Sequence, residues 1–463
     1  MSDEPSETNE TSDASCPAVL SAVVFKSPVR LRQPDRAQFT MHMGCDDDLI
    51  PQGHQARVIW RVVQGLDLSA FREPIQAREG VCGRDSTDPA LLIALWLYAA
   101  TRGVGSAREL ARLCGTEDGS RPYRWICGGV SLNHHTLSDF RTDHADALDE
   151  LFTQVIALLV EKGLVKLSRI SQDGTRVRAC AGTGSFRGEE RLNKLLEEAK
   201  AHVAELRALL ADPEKSAGVT ARQRAARERA AREKQERLEA AIAKLPELKA
   251  KQEAAAKKAG NGKYGNRLKE NPPRVSTTDP EARTMKTGDG GFRPAVNVQF
   301  AVDTESRAVV GVDVSDAGSD KGLAEPMREQ VEERTGRKVE EHLMDGGFLV
   351  LEEIDRAQEA GVAVYAPVPT PRDPAKAAAG TQYLPKPSDS PAQAQWRARM
   401  GSEAGKEIYK QRASTVETVN ADLKKHRGLV QLAVRGLAKA KCVALWSALA
   451  YNLMHFGTAL MNG

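Results

Sequence analysis

The sequence predicts a mixed α+β fold: a helical N-terminal region, then a mixed sheet with helices, interrupted by a helical-hairpin insertion. Three observations carry this. Residues 39–162 keep a helical apolar period with readable caps, residues 295–314 alternate apolar with more polar positions, and 187–258 is a long charged stretch with helical spacing. At 463 residues the chain is long enough for two or three domains, since single cores seldom grow past about 250–300 residues.

Residues 1–38 are polar and aperiodic, and are expected to form a disordered arm. From 39 to 162 the caps mark helix after helix. Asp88 and Pro89 supply an N-cap and an N1 proline for Ala90–Tyr98, and Gly103 stops that helix. Ser106-Ala-Arg-Glu109 reads as a capping box, Thr136-Leu-Ser-Asp139 as another start, and Ala145–Glu161 as a longer helix. Short helices joined by glycine turns suit a helix-turn-helix-like DNA module, to which Arg108, Arg112, Arg121 and Arg124 would bring phosphate or base contacts. A small bundle with a solvated basic face fits the same residues. His134 and His135 lack a cysteine or acidic partner at a ligand spacing, so a capping or core role is expected of them and not a metal.

Strand character begins near Leu164 and gives way to the insertion of 187–270. Leu192, Leu195, Leu196, Ala199, Val203, Leu206 and Leu210 mark one apolar face; Asp212-Pro213 and Ser216-Ala-Gly218 make a turn; Thr220 with Gln223 caps a second helix running to Leu248. That helix carries Arg222, Arg224, Arg227, Arg229, Arg232, Lys234 and Arg237. It reads as an arm on DNA backbone, as a protein-contacting coiled coil, or as a solvated helix laced by pairs such as Glu228 with Arg232. Gly260 to Gly265 reads as a flexible exit.

Strands resume at Ala295–Asp303 and Ala308–Val314, joined by a turn at Thr304-Glu-Ser306. A helix at 320–335, a strand ending at Asp345, and a helix and strand over 350–366 follow; 367–400, rich in Pro and Ala, reads as a loop. Strand, hairpin, helix, strand and a final helix around Glu417 is the order of a ribonuclease H-like core spanning 163–186 and 271–463. The last helix, Ala438 to Leu460, is apolar over much of its surface and reads as packing.

Three acids stand out. Asp173 closes the strand Leu164–Asp173, Asp345 closes Val339–Asp345, and Glu417 lies on a helix whose Ile408, Val416, Val419 and Leu423 fall mostly on one side. Two strand-end aspartates and a helical glutamate are hard oxygen donors that can hold a pair of Mg²⁺ ions about 3.5–4 Å apart, an arrangement suited to in-line attack on a phosphodiester. Asp303, Asp313, Asp316 and Asp320 are rival acids, assigned to turns or solvent.

Composition bounds the rest. With 66 basic and 63 acidic residues the net charge is +3, so any DNA surface must be a local concentration of Lys and Arg. The seven cysteines, Cys16, Cys45, Cys82, Cys114, Cys127, Cys180 and Cys442, are odd in number and have no Cys-x-x-Cys pair, which fits a reduced cytoplasmic protein. The acidic N-terminus is neither signal nor transit peptide, and no run reaches the roughly 18 apolar residues of a membrane span.

The ordered set of His42-Met-Gly44 with Leu49-Ile-Pro51, Leu95-Trp-Leu-Tyr98, Gly103-Val-Gly-Ser-Ala-Arg-Glu-Leu110, His134-His-Thr-Leu-Ser-Asp-Phe-Arg141, Gln172-Asp-Gly-Thr175, Ser276-Thr-Thr-Asp-Pro-Glu-Ala282, Asn297-Val-Gln299, Met344-Asp-Gly-Gly-Phe348 and Arg435-Gly-Leu437 resembles the DDE transposases of bacterial insertion sequences. The closest branch is the one named after insertion sequence 1182. The resemblance runs from about Phe39 to Leu460. It implies Asp173, Asp345 and Glu417 as the catalytic, metal-holding triad, Mg²⁺ with Mn²⁺ as a substitute, and double-stranded DNA as partner, both terminal inverted repeats and target. It also implies a homodimer on the DNA ends. A catalytically inactive end-binding remnant or repressor, and a nuclease that cuts without joining, are the alternatives; an intact triad argues against the remnant.

Neighbouring branches carry Tyr-x2-Arg-x3-Glu-x6-Lys on the last helix, with DNA-contacting roles that would fall to Tyr409, Arg412 and Lys424. Here four residues, not three, separate Arg412 from Glu417. At about 100° per residue a straight α-helix swings Tyr409 and Arg412 off the Glu417 face and leaves Lys424 on it. A local π-bulge would absorb the extra residue and restore Arg412.

Overall fold

The computed structural model describes residues 45–77, 85–115, 121–211, 220–260 and 262–461. The expected arm of 1–38, Cys16, Cys82, the His42-Met-Gly44 motif and the turn around Asp212-Pro213 and Ser216-Ala-Gly218 lie outside these residues.

The strands in chain order are β1 (Arg169–Arg178), β2 (Phe186–Arg187), β3 (Val275–Ser276), β4 (Arg283–Lys286), β5 (Phe292–Asp303), β6 (Val309–Ser315), β7 (Glu341–Leu343) and β8 (Ala363–Tyr365). Six of them form one mixed sheet. β5 pairs antiparallel with β1 from Ile170 to Arg178, and its other edge is shared by β6 and, at its start, β4. Beyond β1 the sheet turns parallel, through β7 to β8. The alternation of Val296, Val298, Phe300 and Val302 with Asn297 and Gln299 gives β5 an apolar face and an amide-bearing one, although both are buried. Paired residues share a face. Asp173, opposite Phe300, therefore belongs to the apolar side, and Gly174 and Arg176, opposite Gln299 and Asn297, belong to the other.

One hydrophobic core runs from Ile50 through the helices Gln55–Gln64, Pro89–Thr101 and Ala145–Glu161, across β5 and β6, to the C-terminal helix Leu437–Met461. Asp46–Gly463 accordingly form one compact unit. Pro89–Thr101 is apolar all round and buried along its whole length, the placement such a helix demands. Asp88 caps it as expected, accepting from the Ala90 N–H at 3.0 Å. The C-terminal helix is tied on both flanks: Trp446 Nε1 donates to the Arg141 carbonyl at 3.1 Å, and the Asn452 amide both donates to and accepts from the Val309 backbone at 2.8 and 2.9 Å. Among the described residues no helix is long and apolar enough to cross a membrane.

The insertion leaves the sheet after β2 and returns at β3, and these two short strands pair with each other. Its helices Glu189–Ala211 and Ala221–Ala243 pack through Leu192, Ala199, Leu238 and Ala241, with the Thr220–Gln223 capping box formed in both directions. The second helix stops short of Leu248, because Leu245-Pro246 opens a separate helix to Ala259. The expected flexible exit contains a helix, Lys263–Glu270.

Other boundaries also differ from the expectations. Helix His134–Thr142 begins two residues before Thr136, because Asn133 caps it by accepting from the His135 and Thr136 N–H groups at 2.9 Å. His134 and His135 therefore neither cap nor enter the core; their rings lie 4.1 Å apart at the helix start. The 367–400 segment is not a continuous loop. Ser390-Pro391 starts a helix to Gly401 whose Trp396 and Met400 are buried, with Trp396 Nε1 donating to the Ala366 carbonyl at 3.0 Å. β4 leaves no trace in the sequence pattern, since Arg-Thr-Met-Lys carries a single buried residue, Met285.

His342 on β7 is buried, and its Nε2 has no hydrogen-bond partner among the described residues. Burial, helped by the Arg328 charge, pushes its imidazole down to about 3. The folded protein thus holds His342 neutral while the unfolded chain takes up a proton below about 6.5. Stability supplied by this group is present above pH about 6.5 and is lost as pH falls toward 3, at up to about 1.4 kcal/mol per pH unit. We expect His342→Leu to lose less stability than wild type between pH 7 and pH 4.5 in urea denaturation; equal losses would show that His342 is not buried neutral.

Candidate active site

β1 carries Asp173 near its middle and not at its end, since five further residues pair with β5. Its pairing with β7, however, stops at Ser171. Asp173 thus lies just past the end of the parallel β1–β7 pair, and Asp345 lies two residues past the end of β7. There Asp345 Oδ1 accepts the Gly347 N–H at 2.7 Å, which fixes the turn that follows.

Glu417 is brought in by one continuous helical run: Glu403–Arg412, a π-helical stretch Ala413–Glu417, then Thr418–His426. The straight-helix register expected for this run does not hold. A π-turn bonds residue i to i+5, so it absorbs the extra residue and returns Arg412 to the Glu417 side. Hydroxyls service the widened turn: Thr415 Oγ1 donates to the Gln411 carbonyl at 2.7 Å, Ser414 Oγ to the same carbonyl at 3.1 Å, and Thr418 Oγ1 to the Ala413 carbonyl at 3.3 Å. Val416, Val419 and Leu423 anchor the run in the core.

The outcome is a close cluster. Arg412 Nη2 donates to Asp173 Oδ1 at 2.9 Å and Nη1 to Glu417 Oε1 at 2.6 Å; Asn420 Nδ2 donates to Asp173 Oδ2 at 3.0 Å. Burial pushes the Asp173 carboxyl above the usual range, against the pull of Arg412 and Asn420, and the nearby Asp345 and Glu417 charges push the same way as burial. Tyr409, half-buried beside Arg412, has its phenol raised by burial. Lys424 lines the same cleft, where burial lowers its ammonium and Asp173 opposes that shift. The cleft, about 570 Å³, is walled by Asp173, Thr175, Lys286, Glu417, Asn420 and Lys424.

Among the described residues no three of His, Cys, Asp and Glu are grouped closely enough to hold a metal ion as they stand. The cation between Asp173 and Glu417 is the Arg412 guanidinium. The donors are nonetheless of the kind a hard divalent ion takes, and the Asp173–Glu417 gap already accommodates a positive charge. Beside Asp173, the buried Asn420 Oδ1 has no partner among the described residues, and it is an oxygen donor of the kind a hard cation takes.

On the opposite face of β1, Asp320 corrects its assignment to turns or solvent. Its buried carboxylate accepts from Asn297 Nδ2 and Gln299 Nε2 at 2.7 Å each, and from both Arg176 terminal nitrogens at 2.9 and 3.1 Å. The Asn297-Val-Gln299 motif and its alternation with the apolar positions of β5 flag Asn297 and Gln299; nothing local in the sequence marks Asp320 or Asn420. Of the other expected DNA contacts, Arg108 and Arg121 are exposed, Arg124 is half-buried and Arg112 pairs with Glu109 at 2.7 Å. None of these four lines the acid cleft.

Gly174 lets the Asp320 network lie directly against β1: a methyl group there would collide with Asp320 Oδ1 and Gln299 Nε2. Gly174→Ala is expected to cost about 1–3 kcal/mol of stability, the usual range for overpacking. Thermal unfolding of the variant checks it, and an unchanged Tm would show that the network can retreat.

Two family models match the chain. The Transposase domain (DUF772) model covers residues 45–143, the N-terminal helices, and the Transposase DDE domain model covers 374–456, which includes the Glu417 helix and most of the C-terminal helix. No curated protein and no solved structure matches significantly. The two matched segments share one hydrophobic core, and together they support a DDE-type transposase.

Proposed function

We propose that this protein binds the terminal inverted repeats of an insertion sequence, of the branch named after insertion sequence 1182, cleaves the DNA and transfers the 3′-ends to target DNA. The observation that carries the reading is the convergence of Asp173 and Glu417 on one cation in a cleft that also holds Lys424 and Lys286, with Asp345 two residues past the end of the neighbouring parallel strand β7. The strand order β6-β5-β1-β7-β8, antiparallel up to β1 and parallel beyond it, followed by the Glu417 helix, supports a ribonuclease H-like core.

DDE transposase domains use divalent metals, and Asp173, Asp345 and Glu417 are the residues that would hold Mg²⁺ or Mn²⁺ here. When bound, a metal pair supplies charge stabilisation to the attacking and departing oxygens of an in-line displacement. The chain's own groups do the rest. Asn420 orients the Asp173 carboxylate, and Lys424 and Lys286 offer cationic contacts to phosphates along the cleft. The exposed Arg108 and Arg121 give the N-terminal helices a basic outer face, which supports end recognition there. Two protomers would engage two ends, in a reducing cytoplasm that suits the free Cys114, Cys127, Cys180 and Cys442.

Asp173→Ala, Asp345→Ala and Glu417→Ala should each abolish strand cleavage while leaving terminal-repeat binding largely intact. Cleavage assays and gel shifts on the three variants decide it, and near-normal cutting by any one removes that residue from the triad. Strand-transfer products from the wild type separate a transposase from a nuclease that cannot join.

The insertion is assigned a DNA-backbone role on its exposed Arg222, Arg227 and Arg229. Neutralising all three should flatten the log–log salt dependence of binding by about 0.9 for each phosphate that is no longer neutralised. An unchanged slope would make this a solvated helix only.

A further inference from the structure

We propose that Arg412 is a resident counter-cation of the acid cluster, a positioning residue that occupies the charge site of the metal and must swing aside for metal to enter. The proposal rests on the reading of Asp173 and Glu417 as metal ligands. It replaces, for Arg412, the DNA contact that the family signature implies.

Its geometry is that of a bridge. Separate nitrogens of one guanidinium reach Asp173 at 2.9 Å and Glu417 at 2.6 Å, so one side chain bridges two carboxylates from distant parts of the chain and offsets one of their two negative charges. The fork shape of Arg suits this, and a single-point ammonium would not span both. Arg412 is almost fully buried, with a side-chain exposure of 10%, whereas Glu417 is 49% exposed to the cleft. Asp173, 20% exposed, lines the same cleft, and its Oδ1 and Glu417 Oε1 are the oxygens that the guanidinium engages. Two carboxylates brought together without a cation would repel, and a guanidinium between them removes that repulsion.

The bridge is also built to open. Arg412 Nε lacks a partner among the described residues, and the side chain is held by its two ion pairs and by Tyr409 beside it, not by a closed hydrogen-bond cage. Arg412 sits at the start of the π-stretch, where Thr415, Ser414 and Thr418 hydroxyls already satisfy the loosened carbonyls. Reverting that stretch to α-helix would turn Arg412 away from Glu417 without stranding a buried carbonyl. Metal and Arg412 therefore compete for the same two carboxylates, and Arg412 leaves the pair with a single net negative charge until metal is bound.

The test is Mn²⁺ binding by the full-length protein without DNA, read by isothermal titration and by loss of the free Mn²⁺ paramagnetic resonance signal. Arg412→Gln should bind Mn²⁺ about tenfold more tightly than wild type, within the usual range of site coupling. Its Tm should fall in EDTA and recover with Mn²⁺. Arg412→Lys, which keeps the charge but not the fork, should bind a few-fold more tightly, and it carries the test if the glutamine variant does not fold. A purely structural arginine would lower Tm equally with and without metal and would not raise affinity. Affinity unchanged or weakened in the folded variants, with Asp173→Asn still abolishing binding, overturns the competition and leaves the ligand reading standing. Binding that survives Asp173→Asn, or no binding by any form, overturns both.

Discussion

The antiparallel pairing of β1 with β5 is the constraint on which the site depends. It joins segments separated by the whole insertion, and its register decides the neighbours of both faces of β1. With Asp173 opposite Phe300, the acid is committed to the side where Val416 and Val419 seat the Glu417 helix. With Gly174 opposite Gln299, the other side is committed to the Asp320 network. A slip of one residue would exchange the two faces and dismantle both arrangements at once. The insertion does not disturb this register, because it departs and returns through the β2–β3 pair, where Ser185 and Ser276 hydroxyls also bond at 2.8 Å.

Electrostatics then set what the acid face can hold. A buried carboxylate is tolerated only when paired and hydrogen-bonded, and Asp173 has both Arg412 and Asn420. Below the sheet, Asp320 is satisfied by four donors around a fixed arginine, so its charge is fully spent within the scaffold. The two faces of one strand thus carry a saturated carboxylate and an undersaturated one. Only the second has capacity left for chemistry.

Much of this is legible in the sequence, and the exceptions have physical causes. The caps at Asp88 and Thr220, the alternation along β5, and the apolar run of the C-terminal helix are local signals, and the structure honours each. Asp320 eludes a local reading because its partners arrive from β1 and β5 and nothing beside it in sequence reveals them. The helix at Pro391 is hidden by proline and alanine, whose composition resembles a loop although Ser390-Pro391 is an N-cap and first-turn pair. A straight-helix register misses the π-turn. Its trace is the Ser414, Thr415 and Thr418 hydroxyls, placed where carbonyls of a widened turn need donors.

The single core shared by the N-terminal helices, the sheet and the C-terminal helix bears on how such a gene decays. A copy interrupted by a stop codon ahead of Leu437 would leave Leu95, Trp96, Leu151 and Phe152 without the helix that completes their core. Such a fragment would be exposed to proteolysis. Substitution of a cleft acid would leave that core untouched. Loss of a cleft carboxylate, unlike loss of the C-terminal segment, would therefore change the site and leave the fold standing.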